Sequence, residues 1–199
     1  MRPFAETVYG VLTGRSPLRI SEPDLVADVR GTLSGDTLYF MLHGYWRDAT
    51  RLWGESGGEF PESVDLTCVD SRPGTVVFTG ACWGALIVDT QAVRFVPTTP
   101  IGSRGPGESI ALAYLAAGAN AFVGCTGAHY SPSTPPYRTA GAPLHQSFFS
   151  YRSVGQPPAA ALSQAKRDYV AAMPHSAGNA ALAIEHKLVW QFACLGLGW

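Results

Sequence analysis

Three short apolar runs stand out along a chain otherwise broken by glycine, proline and polar residues. Thr37-Leu38-Tyr39-Phe40-Met41-Leu42 is continuous and rich in aromatics, Thr75-Val76-Val77-Phe78-Thr79 is rich in β-branched residues, and Ala121-Phe122-Val123 is shorter. None alternates apolar with polar. A strand covered on both faces has no need to, so each run predicts a buried strand.

The intervening stretches predict helices and loops. Residues 21–30 read as a short helix, with Ser21 as cap, Pro23 in the first turn and Asp24 at the positive end of the dipole. Residues 108–117 read as a helix closed by Gly118. Residues 158–172 and 178–194 read as two Ala-rich helices separated by Pro174, His175 and Ser176, with Ser176 capping the second. A weak strand is read from Thr7 to Leu12, a turn over 31–36, and a polar, Gly-rich crossover without periodicity over 45–74. Residues 131–143 hold four prolines and read as a loop.

Strands alternating with crossovers predict an α/β fold: a three-layer α/β/α sandwich with a mostly parallel central sheet. The strands at 37–42, 75–79 and 121–124 are expected to be parallel neighbours. The chain reads as one domain over residues 1–199, of which 1–36 form a shortened N-terminal part.

Composition narrows the function. Of 199 residues, 46% are apolar and 15% charged, which suits a packed domain. A formal net charge of −1, with no long basic run, gives no support for nucleic-acid or membrane-surface binding. No segment reads as a signal peptide or membrane span, so a cytoplasmic location is expected. The cysteines Cys68, Cys82, Cys125 and Cys194 are widely spaced without a Cys-x-x-Cys pair, which fits a reducing compartment and argues against zinc or thioredoxin-like chemistry. No metal or cofactor is expected, and a zinc site from His129, His145 and Cys125 lacks the usual ligand spacing. Gly102-Ser103-Arg104-Gly105-Pro106-Gly107 is Gly-rich but contains proline and does not match a phosphate-binding loop, so a small-molecule-binding α/β domain is disfavoured.

Two of the strands run into reactive side chains. The first leads to Leu42-His43-Gly44 and the second to Gly80-Ala81-Cys82-Trp83-Gly84. In a parallel sheet both lie at the C-terminal rim, where sites form. A cysteine or histidine met alone at a strand end is ordinarily structural. The pair in this order is more specific, because an imidazole can activate a thiol and then protonate a leaving amine. Gly44 allows a close main-chain approach and Gly84 a tight turn. The N–H groups of Gly44 and Cys82 are candidates for an oxyanion hole.

A strand ending in His-Gly, about forty residues, then a strand ending in Ala-Cys resembles the caspase, gingipain, legumain and separase group of cysteine peptidases, and most of all its bacterial gingipain-like or CHAT-type domains. The stretch from Ser109 to Gly118 leading into Ala121-Phe122-Val123-Gly124 resembles their helix and following strand, and Ala165-Lys166-Arg167-Asp168-Tyr169 their late helix. The resemblance covers about residues 37–194. It implies the caspase-haemoglobinase-like sandwich and a cysteine endopeptidase. His43 would be general base and acid, Cys82 the nucleophile, and Gly44 with Cys82 the oxyanion hole. Ala128, His129 and Tyr130 would line the cleft. The partner would be a protein or peptide substrate, with regulatory domains or partner chains alongside.

In one respect the chain departs from that group, whose members carry one or two more strand–helix units before the His strand. The chain therefore reads as lacking the first strands or as a piece of a longer protein. The residue that reads the substrate's P1 side chain often comes from those units. Arg or Lys at P1 is implied by analogy alone, with Asp48, Asp89 and Glu108 as acidic candidates. The alternative is a catalytically silent scaffold or protein-interaction domain on the same fold.

Overall fold

We describe a computed structural model of the protein over residues 2–10, 25–90, 100–132, 134–135, 137, 139–173 and 178–198. In chain order the elements are α1 (Arg2–Tyr9), α2 (Val26–Val29), β1 (Thr37–Phe40), β2 (His43–Tyr45), β3 (Asp48–Trp53), β4 (Glu62–Asp65), β5 (Val76–Thr79) and α3 (Ile110–Ala116). They continue with β6 (Ala121–Cys125), α4 (Ala142–Ser153), α5 (Pro158–Ala171), α6 (Asn179–Gln191) and β7 (Phe192–Gly196).

The three apolar runs form the centre of a mixed α/β fold. The main sheet has the order β1-β5-β6-β7. β1, β5 and β6 are parallel neighbours, with Thr37 opposite Val76, Phe40 opposite Thr79 and Val76 opposite Ala121. β7 closes the sheet antiparallel to β6. Successive side chains point to opposite faces of a strand, and here both faces are covered. Val76, Phe78, Ala121, Val123 and Cys125 face one core, filled by Phe4 and Val8 of α1, Leu144, Phe148 and Phe149 of α4, and Ala161 and Ala165 of α5. Leu38, Phe40, Val77 and Phe122 face the other, against Ile110, Ala111 and Tyr114 of α3. Burying a Val, Leu or Phe side chain stabilises the fold by roughly 1.5–3 kcal/mol, so these continuous runs hold the sheet at the centre.

The second face differs from the sequence expectation. Residues 45–74 are more than a crossover. β2, β3 and β4 make a three-stranded antiparallel meander, in which Arg51 faces Asp65 and Leu52 faces Val64. Leu52 and Val64 join the core beneath α3. The meander is held by that docking more than by alternation, since of β3 only Leu52 is fully buried.

Smaller differences have local causes. The helix expected at 21–30 is the single turn Val26–Val29, and its proposed start at Ser21, Pro23 and Asp24 lies outside the described residues, as does the cap Ser176. Thr7 is in helix α1, not in a strand; positions 11 and 12 are outside the described residues. α4 begins inside the proline-rich stretch because Pro143 occupies its first turn, where a missing N–H costs nothing. The last helix stops at Gln191, and the apolar Phe192-Ala193-Cys194-Leu195-Gly196 continues as strand β7. Helix α3 is capped as read: the Ser109 side chain accepts from the Leu112 N–H, and Gly118 takes φ +97°. Among the described residues no helix is long and apolar enough to cross a membrane.

Candidate active site

Phe40 and Thr79 are register partners at the C-terminal ends of β1 and β5, and His43 and Cys82 each follow three residues later. The rim of the parallel sheet thus delivers both segments to the same place. The His segment then departs from expectation. His43 does not end a strand of the main sheet; it opens β2 and pairs with Trp53 of the meander.

The Cys82 loop is tightly specified. The Ala81 N–H donates to the Thr79 hydroxyl (3.0 Å) and Ala81 is fully buried. The Trp83 N–H donates to the Gly127 carbonyl (2.8 Å), the Gly84 N–H to Ala81 (3.1 Å) and the Ala85 N–H to Cys125 (2.9 Å). These bonds hold Trp83 at φ +52°, a left-handed conformation that costs a non-glycine residue roughly 1–3 kcal/mol. Backbone strain of this kind clusters at functional sites, and here it lies one residue past Cys82. Gly84 is required by space, since a Cβ there would lie 2.6 Å from the Thr79 methyl.

Gly44 joins the two segments. A Cβ built on it would lie 2.0 Å from the Cys82 carbonyl oxygen and 3.4 Å from the Ala81 Cβ. Only glycine lets the β2 main chain come this close to the Cys82 loop.

Cys82 is a free, half-buried thiol. Its sulfur accepts the His129 N–H at 3.3 Å and faces the His129 carbonyl at 3.7 Å. Burial raises the thiol above the ordinary cysteine range, opposed by the main-chain N–H groups of His129 and Cys82 and by the charge of Lys187. His43 is one-third exposed. Its Nε2 meets Glu55 Oε2 at 3.2 Å, and its ring packs edge-on to Phe60 at 4.7 Å. A carboxylate can only accept, so this contact places the neutral ring's proton on Nε2 and leaves Nδ1 as the basic nitrogen. The imidazole and the thiol are not hydrogen-bonded to one another: one is bound to Glu55, the other to His129.

A shallow cleft, open to solvent and enclosing space for about one water molecule, lies between the two segments. Gly44, Tyr45, Asp48, Arg51, Cys82 and Trp83 are among its lining residues, and His43 is not. Asp48 thus reaches the cleft, but its carboxylate is occupied. It contacts Arg51 Nε at 2.9 Å and accepts from the Thr50 N–H, while Arg51 also pairs with Glu62 at 2.5 Å.

The remaining candidates fall elsewhere. Asp89 does not line the cleft; its carboxylate accepts the Gly102 N–H at 3.0 Å and shapes that loop. Glu108 caps the Gly105 N–H in the same way. Ala128 is half-buried beside the Cys82 partner His129. Tyr130 is exposed, with the Lys187 ammonium 4.9 Å over its ring. His129 differs most from expectation: its main chain meets the thiol, while its side chain is buried and bonds His145 at 3.1 Å. Among the described residues no group of three or more His, Cys, Asp or Glu side chains is placed to hold a metal ion.

Sequence reasoning missed Glu55, which lies in the stretch read as a structureless crossover. It also missed Arg104, whose guanidinium donates to the Trp46 carbonyl in the β2–β3 turn and to the Leu86 carbonyl (3.2 Å) beyond Cys82. No local pattern announces either contact, since both are made across the fold. Comparisons with protein-family models, with curated proteins and with solved structures give no match.

Proposed function

We propose that this chain is a cysteine endopeptidase of the caspase–gingipain type, a three-layer α/β/α sandwich in which His43 and Cys82 act as the catalytic pair. The observation that carries this reading is the contact of Gly44 with the Cys82 carbonyl, which brings the His-Gly and Ala-Cys segments together at one rim.

The protonation states favour a particular course. With burial holding its thiol above the ordinary cysteine range, Cys82 rests as the thiol. His43 Nδ1 then removes the thiol proton as sulfur attacks the peptide carbonyl, rather than resting beside a preformed thiolate. Glu55 stabilises the imidazolium that forms. The Gly44 and Cys82 N–H groups receive the oxyanion. Collapse to the thioester expels the amine, which takes the proton from His43. Water, deprotonated by His43, then hydrolyses the thioester and regenerates the thiol. Imidazole and thiol need not be bonded to one another at rest, because catalytic hydrogen bonds often tighten only once substrate is bound. Arg or Lys at P1 follows from analogy. Asp48 is the acidic group in the cleft, and its partnership with Arg51 weakens it as a reader of a basic side chain.

The same burial of the thiol also favours a second reading, a silent scaffold on this fold. A peptide library varied at P1 separates the two. The endopeptidase reading expects cleavage by the parent and none by Cys82→Ala; a parent that cleaves no member favours the scaffold.

A further inference from the structure

We propose that His129 is a positioning residue for this reaction: its main-chain N–H holds the Cys82 sulfur, and a buried Tyr39–His145 pair anchors it there. The proposal rests on the reading of Cys82 as nucleophile.

The sulfur contact works in both protonation states. The thiol proton has the His129 carbonyl to face at 3.7 Å, and the thiolate has the His129 N–H at 3.3 Å. A hydrogen bond to an ionised acceptor is roughly twice as strong as one between neutral groups, so this amide favours the thiolate as it forms. A loop amide holds such a position only if its residue cannot drift. The side chain supplies that restraint. His129 Nδ1 bonds the Ser131 hydroxyl at 3.1 Å, His129 Nε2 bonds His145 Nε2 at 3.1 Å, and His145 Nδ1 bonds the Tyr39 hydroxyl at 3.1 Å. Each link needs one proton. Two neutral rings and the Tyr39 O–H supply all three, running from Tyr39 through His145 and His129 to Ser131.

The anchor is rigid and dry. His145 is fully buried, with Phe78 at 4.7 Å, Phe4 at 5.2 Å and Phe192 at 5.4 Å between ring centres. It also meets the Cys82 loop directly, since a Cβ on Gly80 would lie 2.8 Å from His145 Cε1. His145 therefore supports the nucleophile from two sides, through Gly80 and through His129. The other titratable groups around the thiol are Lys187 of α6, Cys125 of β6, Tyr45, Asp48 and Arg51 of the shared cleft, and His43 as its proposed partner; the variants below change none of them.

The test reads the thiol itself. Iodoacetamide labelling of Cys82 is followed by mass spectrometry in the full chain from about pH 5 to about pH 10, with Cys68, Cys125 and Cys194 as internal references. His145→Leu is expected to slow labelling of Cys82 at neutral pH by about tenfold, the equivalent of a midpoint raised by about one unit. His145→Gln, which keeps an amide facing His129 Nε2, is expected to restore most of the rate. An unchanged Cys82 midpoint in folded His145→Leu overturns the proposal. If that variant does not fold, Tyr39→Phe carries the test: a smaller slowing in the same direction supports the anchor, and no change overturns it. Failure of the peptidase reading is a separate result, namely no turnover by the parent, while the labelling midpoints still report on the anchor.

Discussion

At the scale of single residues, His43, Cys82, Glu55 and Gly44 carry the proposed site. Groups that act as one unit show non-additive losses. Cys82→Ala and His43→Ala are each expected to abolish most turnover, with the double variant hardly worse than either; kcat/KM for the four proteins on one peptide checks this. Glu55→Gln removes the carboxylate that holds the ring, and a loss of about ten- to a hundredfold in kcat is expected, against little change in thermal stability, because the pair is half-exposed. Gly44→Ala forces β2 off the Cys82 carbonyl and is expected to reduce activity even where circular dichroism shows a folded chain. His43, Cys82 and Gly44 were legible in the sequence because each lies within three residues of a strong strand signal. Glu55 was not, because what places it is the antiparallel pairing of Trp53 with His43, a contact without local pattern.

At the scale of elements, the unexpected part is the meander that carries His43. The three parallel strands could be read from sequence because burial on both faces makes a continuous apolar run. β2, β3 and β4 are half-exposed and irregular, with bulges at His43/Tyr45 and Leu52/Trp53, so their alternation is lost. β7 was hidden for the opposite reason: its apolar residues follow a helix directly, and a short apolar run fits either state. Arg104 ties the meander to the Cys82 side through the Trp46 and Leu86 carbonyls. Arg104→Ala is expected to cost about 1.5–3 kcal/mol by chemical denaturation and to depress activity further by freeing the His43 sheet. Arg104→Lys should rescue only part of either, because an ammonium lacks the fork that spans two carbonyls.

At the scale of the whole molecule, the buried His129–His145 pair links the fold to pH. Burial holds His129 down to about 4, and holds His145 well below its ordinary range through burial and the nearby His129. In the unfolded chain both titrate near 6.5, so below that pH the unfolded state binds more protons. Stability is fully present above about pH 6.5 and is lost as pH falls towards about 4, by on the order of 3 kcal/mol for His129 alone. Thermal unfolding between these limits is expected to show a falling midpoint, with a shallower fall in His129→Gln; equal slopes in the two proteins would contradict the assignment. The function rests on one claim about the whole assembly, that two segments meeting at the sheet rim make a single reactive centre. Covalent capture with a panel of peptidyl acyloxymethyl ketones differing at P1, read by intact mass and peptide mapping, tests this most directly. One adduct per chain is expected, on Cys82, formed with a marked P1 preference and lost in His43→Ala. Labelling spread over Cys82 and Cys194 at the rate of a free thiol, unchanged in His43→Ala, would contradict it.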